Sequence, residues 1–555
     1  MKKNDVLVRT AGTMLLLLGF AAPAFSQMLP AMIYGDSLEE RCHALVEAYE
    51  PGYCLAGWTR SYSPGPAHTH KVLVVKTDPA GLPMWSRVSV GESDEEAHSM
   101  VRTMDGGYCL TGWTRSYGVG IPNRNLFVTK LDVAGNPQWS YVWGWMMDDE
   151  SYSIAQTFDG GYAVAGLTSS FGPAPFPNVL VAKFAANGFL QWARVYWVQP
   201  NHVEDEAYAI IQTPDTGYAV VGRAKVSSPT TFDPFVLKID QTGTLQWAYF
   251  SPGPDGDDEG RSVALTRRGQ IAVGGWTKSY GTAPFTIADI FVAEFGLPGI
   301  VNWSRTYGWP SGDELMLEDR SLVAAHDGTI AGCGATSSVG PGIPNPNFLL
   351  FKLDGRGNVQ WCRSHPSPHD PGLLSDVGRP MIQDMMFNYA AAGWSNSYAW
   401  LGGTDDFHFV VVDSSGNREV CVEPQEPIVD SMPWVEFRMA DSAVFLEPDS
   451  MPLVPIEVGF HPICEPTGIG EVPGQTPGQS GTRFLPNPTT GPVRVLDLTV
   501  PARLVVFDVS GREAARFELS GRSGERIDVG QLGAGVYLAR LEAATGTSQG
   551  RLLIR

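Results

Sequence analysis

The stretch DGGYCLTGWTRSYG, residues 105–118, decides the fold because close variants of it recur along the chain. Aligned on its central glycine, the copies read PGYCLAGWTRSYS (51–63), GGYCLTGWTRSYG (106–118), GGYAVAGLTSSFG (160–172), TGYAVVGRAKVSS (216–228), GQIAVGGWTKSYG (269–281), GTIAGCGATSSVG (328–340) and FNYAAAGWSNSYA (387–399). The shared glycines Gly57, Gly112, Gly166, Gly222, Gly275, Gly334 and Gly393 recur every 53 to 59 residues. A catalytic motif rarely needs seven copies, so the stretch reads as scaffold. Asp105-Gly106-Gly107 suits a tight hairpin turn that needs positive φ, and Tyr108, Leu110 and Gly112 alternate along the strand that follows.

Working outward, each copy is preceded by an acid-led apolar run such as EEAHSMVRT (95–103) and followed by an alternating run such as NLFVTKLD (125–132). A Gly turn and a Trp segment such as PQWSYVWG (137–144) then complete the unit. Four strand-length runs per unit predict a four-stranded sheet, which cannot bury both faces alone. Repetition at this period solves the problem as a β-propeller of seven blades, residues 27–421. Trp85, Trp139, Trp192, Trp247, Trp303 and Trp361 recur on the fourth strand and predict inter-blade packing. The seventh unit lacks its Trp and reads GNREVC (416–421), whereas AMIYG (31–35) resembles the fourth-strand endings YVWG (141–144) and RTYG (305–308). The N-terminal strand is therefore expected to complete blade seven and close the ring.

A formal charge of -20 argues against nucleic-acid partners and anionic membranes. Residues 1–26, with Lys2, Lys3 and Arg9 before a short apolar run, read as a secretory signal cut before Gln27. No other stretch has the length of a membrane span, so the exported chain is expected without one, as a monomer. Cys54, Cys109, Cys333 and Cys362 sit in strand-like runs and read as small buried hydrophobes. Cys421 and Cys464 bracket a short β-rich extension, 422–464, and their pairing is left open. That extension repeats DSMPWVEF (430–437), DSAVFLEP (441–448) and DSMPLVPIEV (449–458), with no role legible in it. Residues 465–483 have the composition of a flexible linker.

FLPNPTTGPV (484–493), VVFDVSGRE (505–513), LGAGVYLARL (532–541) and GRLLIR (550–555) resemble, in order and spacing, the C-terminal sorting domain of type IX secretion cargo. The matching positions include Asn487, Pro488, Gly491, Gly511, Gly535 and Tyr537. The resemblance implies recognition by the type IX machinery, passage through the outer membrane, removal of the domain, and attachment to the cell surface or release. The residues alone predict a small β-sandwich. The Gly-to-Trp turns, DVAGNPQW (132–139) and DQTGTLQW (240–247), also resemble the blade motif of quinoprotein propellers. Their Asp-to-Gly spacing is shorter and the vicinal cysteine pair is missing, so they read as a shared packing solution, without a quinone.

Nucleophile-elbow, phosphate-loop and zinc spacings are missing from the sequence, so no cofactor is expected. His68 and His70 form an HTH pair that reads as solvated surface rather than a metal site. The candidate ligand-binding residues are acids at the start of the first strand of most blades: Glu40, Glu95, Asp149, Asp205, Asp258 and Asp376. Glu96, Glu150, Glu206, Glu259 and Glu318 follow in several blades. Placed round one channel mouth they could hold a cation such as calcium; equally, they could bond to backbone or to basic groups of adjacent blades. A non-catalytic module binding an extracellular protein or glycan is the leading reading. A polymer-degrading hydrolase or lyase using these carboxylates, and a ligand-free spacer, are the alternatives.

Overall fold

The computed structural model describes residues 31–417, apart from 36–37, 64–68, 174–175, 199–203, 227–229, 254–255, 282–286, 310–311, 317–318, 339–345, 366–375 and 396–404. Beyond 417 it describes the strands between Glu423 and Ile554, together with Pro501 and Ser520. All described secondary structure is β, and among the described residues no helix is long and apolar enough to cross a membrane. The chain divides into two compact units, residues 29–469 and residues 1–28 with 470–555.

The larger unit is a seven-bladed propeller. Blade two shows the plan, an antiparallel meander of Glu95–Arg102, Tyr108–Thr114, Asn125–Leu131 and Pro137–Trp143. In its first strand the register slips between Ala97 and Ser99, and the same bulge recurs in blades one, three, four and five. The glycine of the opening motif lies opposite. A Cβ on Gly112 would stand 1.9 Å from the Glu96 carbonyl oxygen, and Gly57, Gly166, Gly222 and Gly275 are crowded in the same way. Thus the invariant glycine of the repeat admits the bulge, and the bulge re-aims the side chain it carries.

Blades dock through the fourth-strand tryptophans. Each packs under the left-handed glycine in the last turn of the next blade: Trp85 under Gly135, Trp139 under Gly188, Trp192 under Gly243, Trp247 under Gly299, Trp303 under Gly357 and Trp361 under Gly416. A tyrosine four residues on adds a hydrogen bond in two blades, Tyr196 Oη to Gly243 O and Tyr307 Oη to Gly357 O at 2.7 Å. Blade seven takes its fourth strand, Ala31–Tyr34, from the N-terminus, paired to Asp406–Val412. Tyr34 then donates to Gly81 O of blade one at 2.7 Å, and the ring is closed.

The extension forms a belt. Its short strands add a fifth, outermost strand to successive blades in retrograde order: Glu423–Pro424 on blade six, Ile428–Asp430 on five, Val435–Glu436 on four and Met439–Val444 on three. Leu453–Ile456 follows on blade one, and Phe460–Pro462 on blade seven, against Ala31–Tyr34 itself. Blade two has four strands among the described residues. Outer edges with unsatisfied backbone groups invite aggregation, and the belt occupies six of them. Cys421 and Cys464 lie outside the described residues; Cys42, Cys54, Cys109, Cys333 and Cys362 are buried free thiols.

The smaller unit contains a three-stranded and a four-stranded antiparallel sheet. Gly535 and Tyr537 fall on the strand Gly535–Ala543; Asn487, Pro488, Gly491 and Gly511 lie outside the described residues.

Candidate functional site

The acids that lead each first strand come in consecutive groups, and each member has its own task. The first member was not singled out by the sequence reading. Asp94, Asp148, Asp257 and Asp313 accept the backbone N–H of His70, Arg124, Phe232 and Ala288 at 2.8 to 3.0 Å, which fixes the start of the third strand.

The second member comprises the predicted candidates. Glu40, Glu95, Asp205 and Asp258 are fully buried and Asp149 is 1% exposed. They accept hydrogen bonds from the Thr and Ser of the repeated motif, from Ser89 and from the preceding turn, while Asp258 Oδ2 is buried without a hydrogen-bond partner. Thr59 donates to Glu40 at 2.7 Å, Ser89 and Ser116 donate to Glu95, and Thr277 donates to Asp258 at 2.6 Å. Asp149 accepts from Thr168, from Ser170 at 2.7 Å and from the Trp145 N–H at 2.7 Å, and Asp205 accepts the Val198 N–H at 2.8 Å. In blade six Glu314 holds this place, with Thr336 at 3.0 Å; Glu318, expected among the acids that follow, lies outside the described residues. The Asp376 backbone pairs with Ser395, and its side chain is outside the description. Burial lifts the proton affinity of Glu95 and Asp149, and pushes Asp258 to about 6 and Glu314 to about 8.

The third member meets basic side chains. Glu96 pairs with His70 at 2.6 Å and Glu150 with Arg124 at 2.6 Å, while Arg223 bridges Glu206 at 3.0 Å and Glu259 at 2.5 Å. Those partners are stacked as well as paired: the His70 ring on Trp58 at 4.1 Å and the Arg124 guanidinium over Trp113 at 4.4 Å. Blade four exchanges the two partners, with Arg223 on the second strand over Phe232 at 4.0 Å. Burial opposes ionisation of Glu96, yet the His70 hydrogen bond and the fields of His98 and His43 hold it below the usual carboxylate range.

Deeper in the channel the bulge residues form a ring. His43 and His98 lie 5.1 Å apart, His98 and Tyr152 5.0 Å, and Tyr152 and Tyr208 5.3 Å. Arg261 lies 3.8 Å over Tyr208, and Arg379 Nη1 is 2.9 Å from His43 Nδ1. Blade six departs from the plan and sends residues 319–322 across the channel. Asp319 accepts from Ser99 at 2.9 Å and Ser153 at 2.7 Å, and Arg320 donates to Ile154 O at 2.9 Å. The Arg320 carbonyl takes the Met381 N–H at 2.8 Å and the Leu322 N–H meets Ser262 Oγ at 2.9 Å. This hub ties blade six to blades two, three, five and seven, with Arg320 held at φ 62°.

Beyond the hub, on the side of the DGG hairpins, the channel opens as a funnel of about 480 Å³. Val46, Val101, Ala155, Ile211, Leu265, Val323 and Ile382 supply its walls, Arg320 its floor, and Arg102 and Phe158 stand towards its rim. The last residues of the first strands stitch its circumference. Gln156, Gln212, Gln383 and Glu47 accept the backbone N–H of Met104, Phe158, His326 and Met385 from the preceding blade at 2.6 to 3.2 Å. Nothing in the sequence marked this funnel, because its walls are ordinary core-type aliphatics. Among the described residues no group of three or more His, Cys, Asp or Glu side chains is arranged to hold a metal ion, and His68 lies outside them.

Residues 483–555 match the family model of the secretion system C-terminal sorting domain. No curated protein matches the chain. Among solved structures the chain is similar to a protein of unknown function from Bacteroides caccae, at 12% identity, 57% coverage of this chain, 93% of that one, and a TM-score of 0.29. It is also similar to the polysaccharide lyase Uly1, at 9% identity, 70% and 100% coverage and a TM-score of 0.42. A third is PorZ, a surface component of the type IX secretion system of Porphyromonas gingivalis, at 9% identity, 94% and 99% coverage and a TM-score of 0.14.

Proposed function

We propose that this chain, whose residues 483–555 match the secretion system C-terminal sorting domain, is type IX secretion cargo and presents its propeller outside the cell as a non-catalytic binding module. The carrying observation is the contrast between the two ends of the channel. At the acid-rich end, carboxylates that would serve as a general acid and base are buried and bonded to hydroxyls and N–H groups of their own and the preceding blades. At the hairpin end a funnel of mixed lining, with aliphatic side chains between Arg102, Arg320, Glu47 and three glutamines, has the character of a ligand pocket. The ligand is extracellular: a protein or glycan, or a small amphiphile.

The test is a glycan and matrix-protein array probed with the full chain and with Leu265→Trp, which fills the funnel. Saturable binding lost in the variant is expected. Release of new chain ends from an arrayed polysaccharide would instead make the protein an enzyme and overturn the reading.

A further inference from the structure

We propose that the funnel recognises a medium-chain carboxylate, with its anion on Arg320 and its apolar body along the walls; this rests on the binding reading above. On a chain of formal charge -20, the funnel brings together two guanidinium groups, Arg320 and Arg102, and one carboxylate, Glu47. Glu47 accepts the Met385 N–H at 3.2 Å and is thereby held to the wall. The hub fixes Arg320 from several directions, so its fork is pre-organised, and its side chain is 31% exposed. Its Nε is buried without a hydrogen-bond acceptor, and Asp319 stands 3.7 Å away. Asp319 neutralises part of this charge, which suits a single carboxylate better than a dianion. Above the floor, Val101, Ile211 and Leu265 offer only hydrocarbon, and Phe158, 60% exposed, carries the apolar surface out to solvent. Gln156, Gln212 and Gln383 share the lining, but their oxygens are already committed to backbone N–H groups, so a ligand polar along its whole length would regain few hydrogen bonds for the hydration it loses. A carboxylate-headed amphiphile matches both zones.

The probe is octanoate below its micelle concentration, titrated calorimetrically into the full chain, with 1-octanol and octylamine as controls of the same length. Saturable, one-to-one octanoate binding is expected, with both controls at least tenfold weaker. Arg320→Gln should weaken octanoate at least tenfold. Because that change also touches the hub, Leu265→Trp provides a second variant that leaves the hub in place and should remove binding. Octanol binding as tightly as octanoate, or octanoate binding unchanged in Leu265→Trp, overturns the proposal. Array binding that depends on Leu265 without any octanoate binding overturns the ligand class and keeps the binding reading. Loss of both overturns the two together.

Discussion

At the scale of single residues, the buried carboxylates make opposite predictions according to what surrounds them. Asp149 uses both oxygens, Oδ1 for Thr168 and Oδ2 for Ser170 and the Trp145 N–H. An amide keeps one acceptor and turns an NH2 towards a donor. Asp149→Asn should therefore cost about 1–3 kcal/mol, read as a lower urea midpoint, equally with and without millimolar calcium. Recovery on adding calcium would reassign the acid as a ligand. Glu314 is the reverse case. Burial raises it from 4.5 to about 8, so the native state keeps a proton that the unfolded chain releases, and stability falls as pH climbs between those values. Glu314→Gln turns an NH2 towards Thr336 or the Trp309 N–H, so it should be less stable than the natural protein near pH 5, with that deficit shrinking by on the order of a few kcal/mol towards pH 9 in paired urea titrations. Acids at blade starts were legible as a pattern because they recur at the repeat period. Their partners were less so, since a carboxylate facing a cation and one facing a hydroxyl are spelled alike. Asp94 and its equivalents escaped because N–H acceptance leaves no complementary side chain to notice.

At the scale of elements, the blade was readable because its signals are local: two-residue alternation, turn glycines and one tryptophan per unit. The docking of that tryptophan is testable at Gly357, where φ is 80° and a Cβ would lie 2.7 Å from Trp303. Gly357→Ala should cost roughly 2–4 kcal/mol, combining an unfavourable left-handed backbone with a clash against a partly buried ring, measured by thermal denaturation. At the seam, deleting residues 27–35 removes the strand that lies between Asp406–Val412 and Phe460–Pro462. A melting point many degrees lower, with aggregation, is expected; an unchanged melt would contradict the closure. The belt was not legible in the same way. Its strands are as short as two residues, and their partners are edges that exist only once the blades have formed, up to several hundred positions away.

At the scale of the whole molecule, export and architecture meet in the C-terminal third. In a host with type IX secretion, a chain ending at Arg483 should remain in the periplasm, and residues 465–555 should carry a neutral reporter to the surface; fractionation and surface labelling report both. Export of the truncated chain would contradict the sorting role. The order in which the belt is laid down has a mechanical consequence. Its last strand, Phe460–Pro462, lies on the strand that seals the ring and directly precedes the segment leading to the sorting tail. Tension on a tethered tail therefore enters the outermost layer at blade seven and strips the belt towards blade six, strand by strand, before any four-stranded sheet bears the load. Stretched from its C-terminus in an optical trap, the protein should lengthen in several small, low-force steps ahead of blade rupture. A cell surface under shear would then be coupled to its propellers through a reserve of slack.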